Sequence, residues 1–253
     1  MRKYHGFPGS GFSGPAISPM PRGGYDIAMG ILRNFAVLEG TDGSGTSTQM
    51  ELLKRRFRLP AAPGAVPDRA PGGGAGGGRP PLYPTAEPTN GELGRLIRRA
   101  LRGELPLLPE TLARLFAADR GEHLYGREGI VRRAEGGELV VCDRYIPSSL
   151  VYQGLECGEE LPRLLNSPFP APELILFFDL DPHIAAERIR ERKERDIYEY
   201  LDFQIKVRDR YLSLLPGLRA RGSAVVRLDA SRNQAEVAEQ LWAALKNMPI
   251  LRG

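Results

Sequence analysis

An apolar segment, residues 35–38, runs directly into the glycine-rich segment 39–49, which reads EGTDGSGTSTQ. Gly40 and Gly45 have the spacing of the pattern G-x-x-x-x-G-K-S/T, and Ser47 occupies the hydroxyl position of that pattern. A buried strand that enters such a loop and continues into a helix is typical of a phosphate-binding loop in an α/β protein. The sequence therefore predicts both a parallel sheet and an anion site at its edge.

The lysine of this pattern is missing, because Thr46 stands in its place. The backbone N–H groups of the loop and the amino end of the next helix still attract anions, since neither depends on the side chain at position 46. Lysine normally adds a mobile positive charge, which helps most while charge redistributes during phosphoryl transfer. We therefore expect its loss to lower the rate more than nucleotide binding. The residues expected to hold the phosphates are Gly40, Asp42, Gly43, Ser44, Gly45, Thr46, Ser47 and Thr48.

Composition narrows the class of protein. The chain of 253 residues is long enough for one large α/β domain. Its net charge is +4, and its arginines are interspersed with glutamates along apparent helices, so we expect solvated helix faces and no nucleic-acid partner. Cys142 and Cys157 have neither metal-site nor redox-pair spacing, which fits a reducing, cytoplasmic setting. No apolar run is long enough to span a bilayer, so no membrane partner is expected.

Two segments have low complexity. Residues 1–33 are rich in glycine, proline and serine and have no helix or strand period, so we expect a disordered extension. Residues 59–82 contain little apolar material, and we expect a disordered insertion. Because this insertion connects a helix to the next strand, it should lie at the edge of the sheet away from the ligands. The rest of residues 34–248 is expected to form one domain.

Short apolar runs alternate with amphipathic segments along this domain. The runs 139–143 and 174–179 both end in aspartate and predict buried parallel strands, and 224–228 predicts a final strand. Helical patterns cover about 47–57, 91–102, 109–136, 183–194, 198–219 and 234–247. This alternation predicts an α/β fold with a mostly parallel, five-stranded sheet and helices on both faces.

Four further segments, read together with the loop, carry a family resemblance. They are 85–89 (TAEPT) with 94–98 (GRLIR), 115–120 (LFAADR), 143–145 (DRY) with 148–154 (SSLVYQG), and 181–182 (DP) with the arginine-rich run after it. In this order and at these separations they resemble the thymidylate kinases over about 34–247. The resemblance implies a P-loop nucleoside monophosphate kinase-like fold and ATP-dependent phosphorylation of dTMP to dTDP in deoxynucleotide biosynthesis. It also implies Mg2+ as a cofactor and a homodimer.

The resemblance assigns the acceptor nucleotide to a set of side chains. Arg144 matches the arginine that binds the dTMP phosphate, although an arginine in this position also suits a surface ion pair. Phe116 and Arg120, four residues apart on one helix face, match residues that stack on thymine and bond its carbonyl edge, whereas a lone helical phenylalanine is usually core. Asp42 matches an aspartate near the sugar 3′-hydroxyl, and Tyr152 one of the residues that crowd the 2′ position. The expected dTMP-binding residues are Asp42, Glu87, Arg98, Phe116, Arg120, Arg144, Ser149, Tyr152 and Gln153.

Catalytic charge is expected from two places. Asp143 ends a predicted strand beside the loop, where a carboxylate can hold magnesium, so the expected metal residues are Ser47 and Asp143. A later run resembles the mobile lid of the family, which closes over ATP; it contains Arg188, Arg190, Arg192, Lys193 and Arg195. Because the loop has no cation, we expect a lid arginine, Arg192 or Arg195, to stabilise the transferring phosphoryl group. With Asp143, these two are the expected catalytic residues.

Two departures from the family pattern leave other functions open. Besides Thr46, the chain has Ala86 where many members have arginine before the Glu-Pro pair. One alternative is a kinase for another nucleoside monophosphate or for a deoxynucleoside. Another is a nucleotide-binding module with little catalytic activity, although the retained Asp143 and Arg144 argue against it.

Overall fold

The computed structural model describes residues 30–59, 79–189 and 201–252. The strands in this part of the chain are β1 (Ile31–Gly40), β2 (Leu82–Ala86), β3 (Leu139–Asp143), β4 (Ala171–Asp179) and β5 (Ala224–Asp229). They form one sheet in the order β2-β3-β1-β4-β5, and every neighbouring pair is parallel. The predicted five-stranded parallel sheet is therefore confirmed.

Helices connect successive strands. They are α1 (Thr46–Arg56), α2 (Glu92–Leu101), α3 (Pro109–Tyr125), α4 (Ile130–Glu135), α5 (Ile146–Cys157), α6 (Glu160–Asn166), α7 (Pro182–Ile189), α8 (Leu201–Ala220), α9 (Gln234–Leu245) and α10 (Pro249–Arg252). The remainder of the predicted lid, with Arg190, Arg192, Lys193 and Arg195, lies outside the described residues, as do residues 1–29 and 60–78.

The alternation of side chains along β1 divides the core into two layers. Phe35 and Val37 pack with α2, α3, α4, α5 and α8 on one face of the sheet. Ala36 and Leu38 pack with α1 and α9 on the other. All four are fully buried, as expected of a central strand covered on both sides. The prediction of helices on both faces is confirmed.

The helix predicted over 109–136 differs from the structure, and helices α5, α6 and α10 were not predicted. The helix predicted over 109–136 is broken, because α3 ends at Tyr125 and α4 starts at Ile130. At Gly126, a Cβ would stand 2.5 Å from the Glu122 carbonyl oxygen, so the backbone leaves the helix where only glycine fits. Helix α5 was not predicted as an element, since residues 147–153 are all buried and give no amphipathic pattern.

Both flanks of residues 60–78 lie near the amino ends of the strands. Helix α1 follows the carboxyl end of β1 and runs back along the sheet, and β2 starts at Leu82, which pairs with Leu139 at the start of β3. Strand β1 begins at Ile31 and α10 reaches Arg252, so the folded part extends slightly beyond 34 and 248. The described residues on either side of 60–78 therefore lie away from the carboxyl edge, where the phosphate loop follows β1.

Candidate active site

The segment between β1 and α1 turns sharply, and its glycines make the turn possible. Gly43 and Gly45 have positive φ angles of 81° and 94°, a region that residues with a Cβ rarely adopt. Gly40 is needed for another reason, because a Cβ there would stand 2.5 Å from Ser44 Oγ. Residues 40–48, which include the predicted phosphate ligands, therefore form a tight loop that opens into the amino end of α1.

The loop contains polar groups that have no hydrogen-bond partner among the described residues. Helix α1 starts at Thr46 without an acidic residue in its first turn, so the positive end of its dipole remains available. The hydroxyls of Thr41 and Ser44 are buried and have no hydrogen-bond partner within the described part of the chain. Thr41 was not among the predicted phosphate ligands. Thr46 itself is a small, buried, neutral side chain, so the loop contributes backbone and hydroxyl donors but no cation.

Ser47 and Asp143 meet because β1 and β3 are neighbours in the sheet, with Leu38 paired to Asp143. Ser47 Oγ donates a hydrogen bond of 2.9 Å to Asp143 Oδ2. The other carboxylate oxygen, Oδ1, is buried and has no hydrogen-bond partner among the residues described. A hydroxyl and an unpaired carboxylate oxygen beside a phosphate loop are the hard oxygen ligands that suit Mg2+. These residues therefore fit the magnesium site that the sequence predicts.

Arg144 connects the phosphate loop to the cleft beside it. Its backbone has a positive φ of 71°, and its N–H donates to the Leu38 carbonyl over 2.9 Å. The guanidinium donates to the Gly40 carbonyl over 3.0 Å and forms an ion pair with Asp42. It also lies 5.2 Å from the ring centroid of Tyr152. The side chain thus stands between the start of the loop and the predicted acceptor site.

The cleft beside Arg144 has a volume of about 130 Å³ and is open to solvent. Eight of the nine predicted dTMP-binding residues line it: Asp42, Glu87, Phe116, Arg120, Arg144, Ser149, Tyr152 and Gln153. Phe116 and Arg120 come from α3, and Ser149, Tyr152 and Gln153 come from α5. The fold thus gathers residues from five separate segments into one site.

Arg98 is the predicted acceptor residue that does not line this cleft. Its guanidinium donates to the carbonyl oxygens of Pro88 and Thr89, each over 2.6 Å, and to the side chain of Asn90 over 3.1 Å. It therefore supports the loop after β2 from α2. A contact between Arg98 and the acceptor phosphate stays a prediction.

Asp42 was predicted to serve both the phosphates and the acceptor, and its side chain faces the acceptor cleft. Besides Arg144, it contacts Gln204 of α8, which accepts from the Asp42 N–H over 3.1 Å and donates to the carboxylate over 2.9 Å. Gln204 is buried and was missed by the sequence reasoning. Its only signal is a polar residue on the inner face of an amphipathic helix.

Glu39 is a second residue that sequence reasoning missed. It is fully buried at the end of β1 and accepts hydrogen bonds from Tyr145 N (2.8 Å), Ser148 Oγ (2.6 Å) and Tyr211 Oη (2.8 Å). Burial raises the pKa of Glu39 to about 7, and these hydrogen bonds together with the charge of Arg144 offset only part of that increase. The signal in the sequence is an acidic residue that ends an otherwise apolar run.

Arg120 is almost completely buried, and its donors are largely occupied by the protein. Nε and Nη2 donate to Glu87 Oε2 over 2.9 and 2.7 Å, and Nη2 also donates to Ser149 Oγ over 3.2 Å. Nη1 donates to the side chain of Asn166, a buried residue of α6 that was not predicted. The guanidinium is therefore held rigidly at the wall of the cleft.

The predicted lid begins within the described residues. Arg188, near the end of α7, donates to the Ala230 carbonyl over 3.2 Å. Arg192 and Arg195, the predicted catalytic arginines, lie outside the described residues, between α7 and α8.

A family model described as thymidylate kinase matches residues 75–241. A curated relative in Treponema pallidum (strain Nichols) is 39% identical over 215 residues, which cover 84% of this chain and 94% of that protein. A "Probable thymidylate kinase" of Pyrobaculum aerophilum is 39% identical over 216 residues, covering 85% of this chain and 97% of that protein. A "Thymidylate kinase" of Leptospira interrogans is 32% identical over 210 residues, covering 81% and 90% respectively.

Among the helices described, none is both long enough and apolar enough to cross a membrane. The matched region contains the whole acceptor cleft except Asp42, and the relatives match the chain over most of their own length. On these grounds the chain belongs to the thymidylate kinase family.

Proposed function

We propose that this protein transfers the γ-phosphoryl group of ATP to dTMP, forming ADP and dTDP. The observation that carries the proposal is Arg144, whose guanidinium binds both the Gly40 carbonyl at the start of the phosphate loop and Asp42 in the acceptor cleft. A donor site and an acceptor site that share one arginine suit direct transfer between two phosphates.

On the donor side, the loop supplies the binding groups for ATP. The backbone N–H groups of Gly43, Gly45, Thr46 and Ser47 and the amino end of α1 attract the β- and γ-phosphates. The unpaired hydroxyls of Thr41 and Ser44 add two further donors. Ser47 and Asp143 would hold Mg2+, which neutralises phosphate charge during transfer.

On the acceptor side, the cleft supplies groups for each part of a deoxynucleotide. Phe116 offers a ring face for the base and Arg120 an N–H for a carbonyl oxygen of the base. Asp42 offers a carboxylate for the sugar 3′-hydroxyl, and the Tyr152 ring restricts space near the 2′ position. Arg144 offers its charge to the acceptor phosphate.

The transfer itself needs no general base from the protein, because the attacking oxygen of a nucleoside monophosphate is already negatively charged. The protein contributes positioning and charge. Since position 46 supplies no cation, we propose that Arg192 or Arg195 closes over ATP and stabilises the charge that develops on the γ-phosphoryl oxygens. Arg144 supplies the second cation, from the acceptor side.

We also propose a homodimer in a cytoplasmic setting. The support is the family resemblance, two free cysteines, and exposed apolar side chains on neighbouring helices. Leu108 at the start of α3, Leu155 in α5 and Leu164 in α6 are 70%, 36% and 67% exposed. Light scattering gives the molar mass of the wild type and of Leu164→Glu in solution and so tests the dimer. A monomeric wild type would contradict it.

The experiment that tests the function is a substrate panel. Purified protein with ATP and Mg2+ is given dTMP, dUMP, UMP and thymidine in parallel, and the phosphorylated products are quantified. We expect the highest kcat/KM for dTMP, a lower value for UMP because of its 2′-hydroxyl, and no product from thymidine, which lacks the acceptor phosphate. A preference for UMP or thymidine would support a different kinase, and ATP binding without product would support a binding module.

A further inference from the structure

The buried pair formed by Glu87 and Arg120 is asymmetric. Nε and Nη2 of Arg120 both bind a single carboxylate oxygen, Oε2. The frequent arrangement of a guanidinium and a carboxylate is a fork, in which each N–H binds its own oxygen. Glu87 Oε1 makes no hydrogen bond to Arg120 and is left for an interaction with another residue.

His123 supplies this interaction. Its Nδ1 lies 3.1 Å from Glu87 Oε1, and its Nε2 lies 2.6 Å from Thr85 Oγ1. A carboxylate paired with a guanidinium only accepts hydrogen bonds, so Nδ1 carries the proton and donates it to Glu87. In the neutral ring Nε2 then accepts from the Thr85 hydroxyl. The two contacts thus hold the ring in one orientation, with its side chain only 9% exposed.

Arg120 has few donors left for a ligand. A guanidinium has five N–H groups. Two bind Glu87, one binds Ser149 and one binds Asn166, which leaves one on Nη1 without a partner among the described residues. The direction of this last N–H depends on the plane of the guanidinium, and that plane depends on which oxygens of Glu87 the guanidinium binds.

We propose that His123 is a positioning residue for the acceptor: by holding Glu87 Oε1, it fixes the plane in which Arg120 offers its remaining N–H to the base. The proposal rests on the proposed function, in which Arg120 faces a carbonyl oxygen of the pyrimidine. Without His123, Glu87 rotates into a symmetric fork with Arg120 and the last N–H turns away from the base. Acceptor binding then weakens, while ATP binding, which uses the loop after β1, does not.

The same cluster has the composition of a metal site, since ligand atoms of Glu87, His123 and Cys142 lie within 4.8 Å of one another. However, both carboxylate oxygens of Glu87 and both ring nitrogens of His123 already have hydrogen-bond partners. The Cys142 thiol donates to the Arg144 carbonyl over 3.0 Å. Since both ring nitrogens of His123 are engaged in hydrogen bonds, we assign the cluster to positioning. Stoichiometric zinc in the purified protein, lost in His123→Phe, would overturn this assignment.

Two substitutions separate positioning from packing. His123→Phe keeps a planar ring and removes both ring nitrogens, whereas His123→Asn keeps an amide N–H near the position of Nδ1. Steady-state kinetics of each variant give KM for dTMP, KM for ATP and kcat. We expect His123→Phe to raise KM for dTMP about tenfold, because a factor of ten corresponds to the loss of one buried hydrogen bond to a charged group. KM for ATP should change less than about twofold. His123→Asn should restore most of the affinity for dTMP.

The matched control is His183→Phe, which changes an exposed histidine on α7 and should leave both KM values unaltered. A folded His123→Phe protein with wild-type KM for dTMP would overturn the proposal, as would equal increases in both KM values or no rescue by asparagine. If His123→Phe does not fold, Thr85→Val replaces it, and an unchanged KM for dTMP then overturns the proposal. A wild type that forms no dTDP refutes the proposed function instead. Calorimetric titration with dTMP then tests the role of His123, because the affinities of the wild type and the variants for dTMP should follow the same order.

Discussion

Gln204 binds Asp42 at two points, one through the backbone N–H and one through the carboxylate, at 3.1 and 2.9 Å. Gln204 lies in the first turn of α8, directly after the residues that resemble the lid. The same carboxylate pairs with Arg144. The residue proposed to meet the sugar 3′-hydroxyl is therefore held in place by the helix that follows the proposed lid.

Replacing Gln204 should weaken acceptor binding. We expect Gln204→Ala to raise KM for dTMP about tenfold, because Asp42 loses two hydrogen bonds that orient it. Gln204→Glu should have a larger effect, since it places a second carboxylate beside Asp42. Kinetics with dTMP varied at saturating ATP provide the measurement, with Ser213→Ala on the exposed side of α8 as the control. Equal KM values in all four proteins would contradict this role.

The raised pKa of Glu39 predicts that the free energy of unfolding decreases as pH rises. Burial raises its pKa from 4.5 to about 7 in the folded protein. The folded state therefore binds the proton more tightly than the unfolded state, so the stabilisation is complete below about 4.5 and is lost as pH rises through about 7. The full shift corresponds to a contribution on the order of 3 kcal/mol to the free energy of unfolding.

Urea unfolding between pH 4.5 and 8 measures this contribution as a difference between proteins. Glu39→Gln keeps an acceptor for the Tyr145 N–H and cannot titrate, so the wild type should lose stability relative to this variant as pH rises. Glu239→Gln, at an exposed position on α9, should keep the wild-type slope. Parallel curves for the wild type and Glu39→Gln would show that Glu39 does not titrate in this range.

The contact between Ser47 and Asp143 predicts a shared metal site. Ser47→Ala and Asp143→Asn should each raise the Mg2+ concentration needed for half-maximal activity, and Asp143→Asn should lower kcat on the order of a hundredfold. Because both residues would serve one ion, the double variant should lose less than the product of the two single effects. Titration of activity with Mg2+ tests this, and an unchanged Mg2+ requirement in both single variants would exclude the assignment.

The lid arginines predict a loss of rate without a matching loss of binding. Arg192→Ala or Arg195→Ala should lower kcat on the order of a hundredfold, because a cation at the γ-phosphoryl group acts mainly in the transition state. Arg127→Ala removes the same charge at an exposed position between α3 and α4 and should leave kcat unaltered. Single-turnover measurements of dTDP formation separate this effect from product release. Wild-type rates in both lid variants would mean that the compensating charge lies elsewhere.

Local sequence was sufficient for the parts of the site that local geometry determines. The spacing of Gly40 and Gly45 identified the loop because each glycine meets a backbone requirement within the loop itself. Asp143 and Arg144 were identifiable because they directly follow a continuous apolar strand. Grouping the cleft residues on α3 and α5 required the family resemblance, since nothing in the spacing of Phe116 indicates a ligand.

The missed residues are those whose roles depend on distant partners. Gln204 and Asp42 are 162 positions apart, and Arg120 and Asn166 are 46 apart. A single sequence contains no signal that pairs them, because the pairing arises only when the helices pack on the sheet. Glu39 differs from these residues, because a carboxylate at the end of a buried apolar run indicates a buried group with hydrogen-bond partners. Its partners Ser148 and Tyr211 still come from other elements, so the sequence does not identify them.

The central claim is that this protein is an active kinase although its phosphate loop has threonine in place of lysine. The most direct measurement is dTMP-dependent formation of ADP and dTDP by the wild type beside Thr46→Lys, with ATP affinity measured for both. We expect turnover by the wild type, similar ATP affinity, and a change in kcat of less than about tenfold in Thr46→Lys, because charge already reaches the phosphates from Arg144 and the lid. Tight ATP binding without dTDP formation in the wild type, together with turnover in Thr46→Lys, would contradict the account.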